Sequence, residues 1–331
     1  MAVSMYDRMI QCHILRTDPS YEFSFTTLVC IPVVLCIVGL CGNIATFCAL
    51  RTDPEKNNAS TFLLKVLTVV DSISLVSYAW LSIYFFIDDY SALSFQWSYY
   101  LAITQDLVKY LFCCFQSLSA CMVMLVSIDR YIAACLPYKQ HLRSLKRMKI
   151  AVVIVIIIIL SLNVIVRISS ITGKIMRSYY PCLNYYVYFI RRNPKFEVPL
   201  IIKEQLIPLV PPTVALVVMI VLNILLIVRM RRQKQLHRNT SSSSTNKKDN
   251  KMVVMTIIVV VVYCVCAMPM AIIDMITMIE HYSGIDLISW KNEIYFYFIA
   301  QDLLSVNSSL NIIIYILVWP KFRSLFSNLC H

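Results

Sequence analysis

The chain has 331 residues, 59% of them hydrophobic and only 15% charged, with a mean hydropathy of +0.70. A water-soluble domain carries about 25% charge, so this composition excludes a soluble enzyme or scaffold and points to a membrane protein. The net charge of +12 follows from membrane topology and implies no nucleic-acid partner.

Taken in chain order, residues 1–25 hold no apolar run of signal-peptide type and read as a short arm. Windows of about 20 apolar residues then predict seven helical spans. They fall at 26–50, 60–86, 100–128, 149–170, 199–228, 252–279 and 294–318. The expected fold class is therefore an all-α membrane protein, a seven-transmembrane helix bundle over 26–318. Between spans five and six, residues from about 231 to 250 form a flexible loop with the low-complexity run Thr240 to Thr245. Residues 319–331 open with Trp319-Pro320-Lys321-Phe322-Arg323-Ser324-Leu325-Phe326, whose apolar and basic positions alternate at helical spacing. That pattern suits a short amphipathic helix on the membrane surface, followed by a tail.

An odd number of spans puts the termini on opposite faces. Lys and Arg gather in the loops after spans one, three and five and in the tail, among them Arg51, Arg143, Lys146, Arg147, Arg229, Arg231, Lys247 and Arg323. The positive-inside rule then places the amino terminus outside the cell.

The spans carry few polar groups. Asp129-Arg130-Tyr131 closes span three ahead of Pro137, and charges at a membrane are costly unless paired or functional. Asp71 falls in mid-span two and Ser119 in mid-span three; Asn307, Ser308, Asn311 and Tyr315 share one face of span seven. Asp71, Ser119, Asn307, Ser308 and Asn311 are candidates for a cage around Na⁺ or water. A purely structural hydrogen-bond network built on Asp71 fits the spacing equally well. A seven-span ion carrier would need a chain of ionisable groups across the membrane, and the middle of these spans offers only Asp71. No catalytic constellation is visible, because His13, His141, His237, His281 and His331 lack paired acid or Cys spacing. We expect no enzyme.

In order along the chain these features resemble rhodopsin-like G-protein-coupled receptors. The resemblance is carried by Gly42-Asn43, Asp71, Asp129-Arg130-Tyr131, Pro137, Pro269 in Cys266-Ala267-Met268-Pro269, and Asn311-Ile312-Ile313-Ile314-Tyr315. It implies a plasma-membrane receptor with an extracellular ligand and a heterotrimeric G protein as partner. Asp129, Arg130, Tyr131, Pro269, Asn311 and Tyr315 would serve activation, with Arg130 pairing to Asp129 at rest. Asp249 at the inner end of span six would act as a second latch. Arrestin would read a phosphorylated Ser241-Ser242-Ser243-Ser244, and Cys330 is a candidate for lipidation. The chain also departs from the pattern. Ile312 replaces the seventh-span proline, Ala267 stands at the sixth-span tryptophan position, and Gln105 occupies the place of the third-span cysteine. Cys12 and Cys182 lie outside the membrane, where disulfides persist, so they can pair or Cys182 can stay free.

The same resemblance narrows the ligand. Ser305 stands where an opsin has its lysine and Phe112 where amine receptors have an aspartate. What remains is a mouth of acids and aromatics, with Trp80, Asp106, Lys109, Phe112, Gln116, Glu204, Asp274, Tyr297, Gln301 and Asp302 as candidate ligand contacts. Acids beside aromatics suit a peptide carrying Arg and Phe. Ser60-Thr61-Phe62-Leu63-Leu64 and Asn307-Ser308-Ser309-Leu310-Asn311, followed by a non-proline, are similar to invertebrate FMRFamide and myosuppressin receptors. That likeness implies a short amidated neuropeptide. A chemosensory receptor for small molecules shares the architecture and stays open as an alternative.

Overall fold

The computed structural model describes residues 29–52, 58–90, 95–171, 174–180, 185–191, 207–237, 245–285, 287–318 and 322–324. Seven long helices carry the chain: α1 (Ile31–Arg51), α2 (Ala59–Tyr90), α3 (Phe95–Cys135), α4 (Leu145–Ile171), α5 (Ile207–His237), α6 (Thr245–Ser283) and α7 (Trp290–Val318). Each contains a segment long and apolar enough to cross a membrane. The all-α seven-span bundle read from composition is the observed architecture.

Most helices outrun the apolar windows that announced them. Span three was read as ending at residue 128, yet α3 continues to Cys135, so Asp129-Arg130-Tyr131 lies inside the helix. Hydrophobicity stops where lipid stops, whereas the hydrogen-bond ladder runs on until something breaks it. Here the break is Leu136, driven out of helical geometry (φ −126°, ψ 59°) ahead of Pro137. A 3-10 helix, Pro137–Arg143, follows, and Ser144 then caps α4 by accepting the Arg147 amide on its hydroxyl at 3.4 Å. At the other end of the bundle α6 stops at Gly284, whose φ of +68° is one that residues bearing a Cβ rarely adopt. Its amide bonds back to the Glu280 carbonyl at 2.9 Å.

α2, α3 and α7 form the centre, and their inward faces bury Leu63, Leu67, Leu118, Met122, Val126, Ile314 and Tyr315. Facing them are Met219 of α5 and Val260 and Tyr263 of α6. Outward faces stay apolar: Ile150, Val153, Ile154, Ile157 and Ile158 on α4 are all exposed, the surface a lipid phase solvates. α1 comes close to its neighbours at two glycines. A Cβ on Gly39 would fall 2.5 Å from Leu75 Cδ1 and 2.6 Å from Ser309 Oγ; one on Gly42 would fall 2.8 Å from Ile312 Cγ2. Ser309 sits at that approach, its hydroxyl 2.9 Å from the Ser305 carbonyl of its own helix and 3.2 Å from the Leu35 carbonyl of α1.

Two features lie beyond the helices. An antiparallel hairpin pairs β1 (Lys174–Tyr180) with β2 (Tyr185–Arg191) in the connection from α4 to α5, and β2 packs against α3. No strand was read from the sequence, because a short tyrosine-rich segment between spans carries no hydropathy signal. After α7, residues 322–324 form a helical turn in which Phe322 is buried against Tyr315 (ring centroids 5.6 Å apart) and Arg323 is exposed. This is the start of the expected short amphipathic helix. Cys12, Cys182, Glu204, Ser241 to Ser244 and Cys330 lie outside the described residues. Asp106 and Asp249 fall on α3 and α6, at positions where only the backbone is described.

Candidate functional site

Three polar clusters interrupt the apolar interior, one at each end of the bundle and one midway. The central cluster is built on Asp71, which is 0% exposed. Ser119 of α3 donates to Asp71 Oδ1 at 2.5 Å and Ser308 of α7 to the same oxygen at 3.2 Å; Asn311 Nδ2 donates to Oδ2 at 2.6 Å. Asn43 reaches the Ser308 carbonyl from α1 at 3.4 Å, so four helices meet here. Three of the other four residues assigned to a cage thus bond to Asp71. Asn307 is buried but takes no part in the three bonds to Asp71, since Ser308 and Asn311 bracket the carboxylate and leave it to one side on α7. A carboxylate, two hydroxyls and a carboxamide make the oxygen-rich set that a small hard cation accepts. Asn311 would have to turn its carbonyl inward to join such a set.

Toward the hairpin end, α2, α3 and α7 converge on Asp302, only 7% exposed. Tyr78 donates its phenolic hydrogen to Asp302 Oδ1 at 2.9 Å and also lies 3.4 Å from the Phe298 carbonyl. Its ring stacks on Phe112 at 5.5 Å, and Tyr297 meets Phe298 edge-on at 5.8 Å. Among the described residues, no cationic side chain pairs with Asp302. Gln301 turns from Asp302 toward α6, with Nε2 3.5 Å from Met270 Sδ and a buried Oε1 that finds no donor among the described residues. Asp274 lies half-buried on α6, one turn beyond Met270. Gln116 of α3 accepts from Ser74 of α2 at 3.0 Å, which makes it a tie between helices as well as a wall.

Of the expected mouth residues Trp80 faces elsewhere, and two nearby acids, Glu280 and Glu293, have duties within the bundle. Trp80 is 49% exposed and shares an outward stripe with Val69 and Val76, so it faces away from the cluster. Its neighbours in sequence, Ala79 and Leu81, are buried, and helical rotation separates them from it. Glu280 accepts the amides of Leu287 and Ile288 at 2.8 Å each and so fastens the α6–α7 connection. The Thr277 hydroxyl of α6 lies 3.2 Å from Glu293 Oε1 of α7 and 3.0 Å from the Ile273 carbonyl, two acceptors for its one hydrogen.

At the opposite end, Asp129 is 0% exposed and Arg130 nearly so. The expected Arg130–Asp129 pairing is loose, with Nε 3.9 Å from Oδ2. Asp129 instead accepts Ser60 Oγ at 2.6 Å and Arg143 Nε at 2.9 Å. Sequence reasoning gave Arg143 only a topological role. Tyr78 was missed too, although it stands seven residues after Asp71 and so on the same helical face.

The model of the seven-transmembrane receptor (rhodopsin) family matches residues 42–315. The chain belongs to the rhodopsin family of seven-transmembrane receptors. A search of curated proteins gave no match. As a member of that family the receptor is a multi-pass membrane protein that binds an extracellular ligand and couples to a heterotrimeric G protein; it is not an enzyme. Motifs that carry the resemblance occupy two of the three clusters, Asp71 with Asn311 at the centre and Asp129-Arg130 at one end.

Proposed function

We propose that the receptor sits in the plasma membrane with its amino terminus outside and binds a short amidated, FMRFamide-like peptide at the Asp302 cluster. Orientation rests on the concentration of Lys and Arg at the Arg130 end, including Lys146, Arg147 and Arg229. The observation that carries the ligand class is Asp302 itself, a buried carboxylate that accepts from the neutral phenol of Tyr78. Burying a charge without a cation is expensive, and a guanidinium brought by the ligand would offset that cost with paired, charge-assisted hydrogen bonds. Phe112 and Tyr78 offer stacked aromatic surface beside it for a Phe ring. Asp274 is the second acid in reach of the α6–α7 seam. When the ligand favours one bundle arrangement, its differential affinity moves the Arg130 end toward the coupled state.

The test is a screen of amidated peptides on the full receptor, read by second messenger, followed by Asp302→Asn. We expect an Arg-Phe-amide peptide to activate the parent and to lose more than about tenfold in potency in the variant, or about 1.4 kcal/mol. A citrulline analogue should lose little more in that variant. Equal potency in parent and variant would place the Arg elsewhere, with Asp274 next. Activation by small odorants and by no peptide would favour the chemosensory alternative.

A further inference from the structure

From the Arg130 end of the bundle we infer that Arg143, in the 3-10 helix between α3 and α4, is the positioning residue that clamps Asp129 in the resting receptor. Coupling to the G protein requires that clamp to open. The inference rests on the family's coupling activity and not on the identity of the ligand.

Arg143 grips both carboxylate oxygens: Nε donates to Oδ1 at 2.9 Å and Nη2 to Oδ2 at 3.4 Å. Ser60 of α2 donates to Oδ2 at 2.6 Å, and Arg143 Nη2 also lies 3.4 Å from Ser60 Oγ. The result is a closed ring of three side chains from three segments of the chain. Arg130 Nε, at 3.9 Å, is within ion-pair range of the same carboxylate but beyond a hydrogen bond. A planar fork that binds two oxygens at once fixes orientation as well as charge.

Local sequence holds Arg143 in place. Pro137 ends α3 and starts the 3-10 helix; Ser144 closes that helix, its amide bonding to the His141 carbonyl at 3.3 Å, and caps α4 with its hydroxyl. Arg143 is therefore trapped between two helical segments with its side chain turned inward, 22% exposed. Just beyond it Lys149 lies over the Phe62 ring at 5.8 Å, which ties α4 to α2 as well. Because Asp129 is fully buried, breaking the ring leaves a charge without its fork, so the loop helix and the α2–α3 pair are bound to move together. A partner that reshapes the Arg130 end has to displace this helix or carry it along.

The experiment compares agonist-independent activation across a panel of Gα classes at matched surface expression. Arg143→Gln should raise it by about tenfold, the change expected from losing a charge-assisted hydrogen bond. Ser60→Ala should raise it less, and Arg143→Lys should stay closer to the parent. Arg147→Gln, an exposed neighbour, serves as the charge control and should match the parent. Hydrogen exchange over residues 136–148 in detergent gives a readout that does not depend on coupling, and it should quicken in Arg143→Gln and in Ser60→Ala but not in Arg147→Gln. Parental activation and parental exchange in both Arg143→Gln and Ser60→Ala would overturn the inference. So would an Arg147→Gln effect as large as that of Arg143→Gln.

Discussion

Tyr78 of α2 donates its hydroxyl to Asp302 of α7 at 2.9 Å, joining the two helices with both groups buried. This one bond satisfies the phenol and gives the carboxylate a donor. Removing it by Tyr78→Phe strips the donor and leaves the acceptor in place, which costs about 1–3 kcal/mol for a buried group. Thermal unfolding of the purified receptor in detergent should show a lower midpoint for Tyr78→Phe. In Tyr78→Phe/Asp302→Asn the combined loss should be smaller than the sum of the two single losses, because both act on one bond. Additive losses would mean that the pair is not coupled.

Asp71, Ser119, Ser308 and Asn311 make a second test accessible without any ligand. If the cluster binds Na⁺ in the folded receptor, mass action raises the unfolding midpoint with Na⁺ concentration. The comparison is Na⁺ against a large organic cation at equal ionic strength. We expect stabilisation in the parent and its loss in Asp71→Asn and Asn311→Ala. Equal midpoints in both salts for the parent would leave Asp71 a structural hydrogen-bond acceptor alone.

Gly39 separates α1 from α2 and α7 by less than a methyl group allows. Of the two side chains a Cβ would meet there, Ser309 has its hydroxyl between the Ser305 carbonyl at 2.9 Å and the Leu35 carbonyl at 3.2 Å, one hydrogen shared by two acceptors, and cannot yield freely. Gly39→Val should therefore destabilise by about 1–3 kcal/mol through overpacking. Val38→Ala, on the exposed face one residue away, should change the midpoint little. Similar midpoints for the two variants would mean that α1 moves aside at no cost.

The number and order of the helices were legible in the chain because membrane spanning imposes a length and an apolar composition that few alternatives satisfy. Asp71 with Ser119, Ser308 and Asn311 was legible for a related reason. Polar side chains in hydrocarbon must find each other, and helical periodicity tells which of them share a face. The outward turn of Trp80 was not legible, because the depth of a residue says nothing about its azimuth around the helix. The hairpin was invisible to hydropathy because its stability depends on strand pairing and on its packing against α3.

By itself, then, the sequence determined seven spans, the family, the absence of a catalytic set and the residues that had to meet in the middle of the bundle. Only the tertiary structure decided the pairings. Asp129 belongs to Arg143 and Ser60 more than to Arg130, and Asp302 belongs to Tyr78. The physical reason is that hydropathy and periodicity are sums over neighbours along one helix. A hydrogen bond between segments depends on distances set by packing across the chain: Arg143, remote from Asp129 in sequence, comes to 2.9 Å of it, while Arg130, its neighbour in the chain, stays at 3.9 Å.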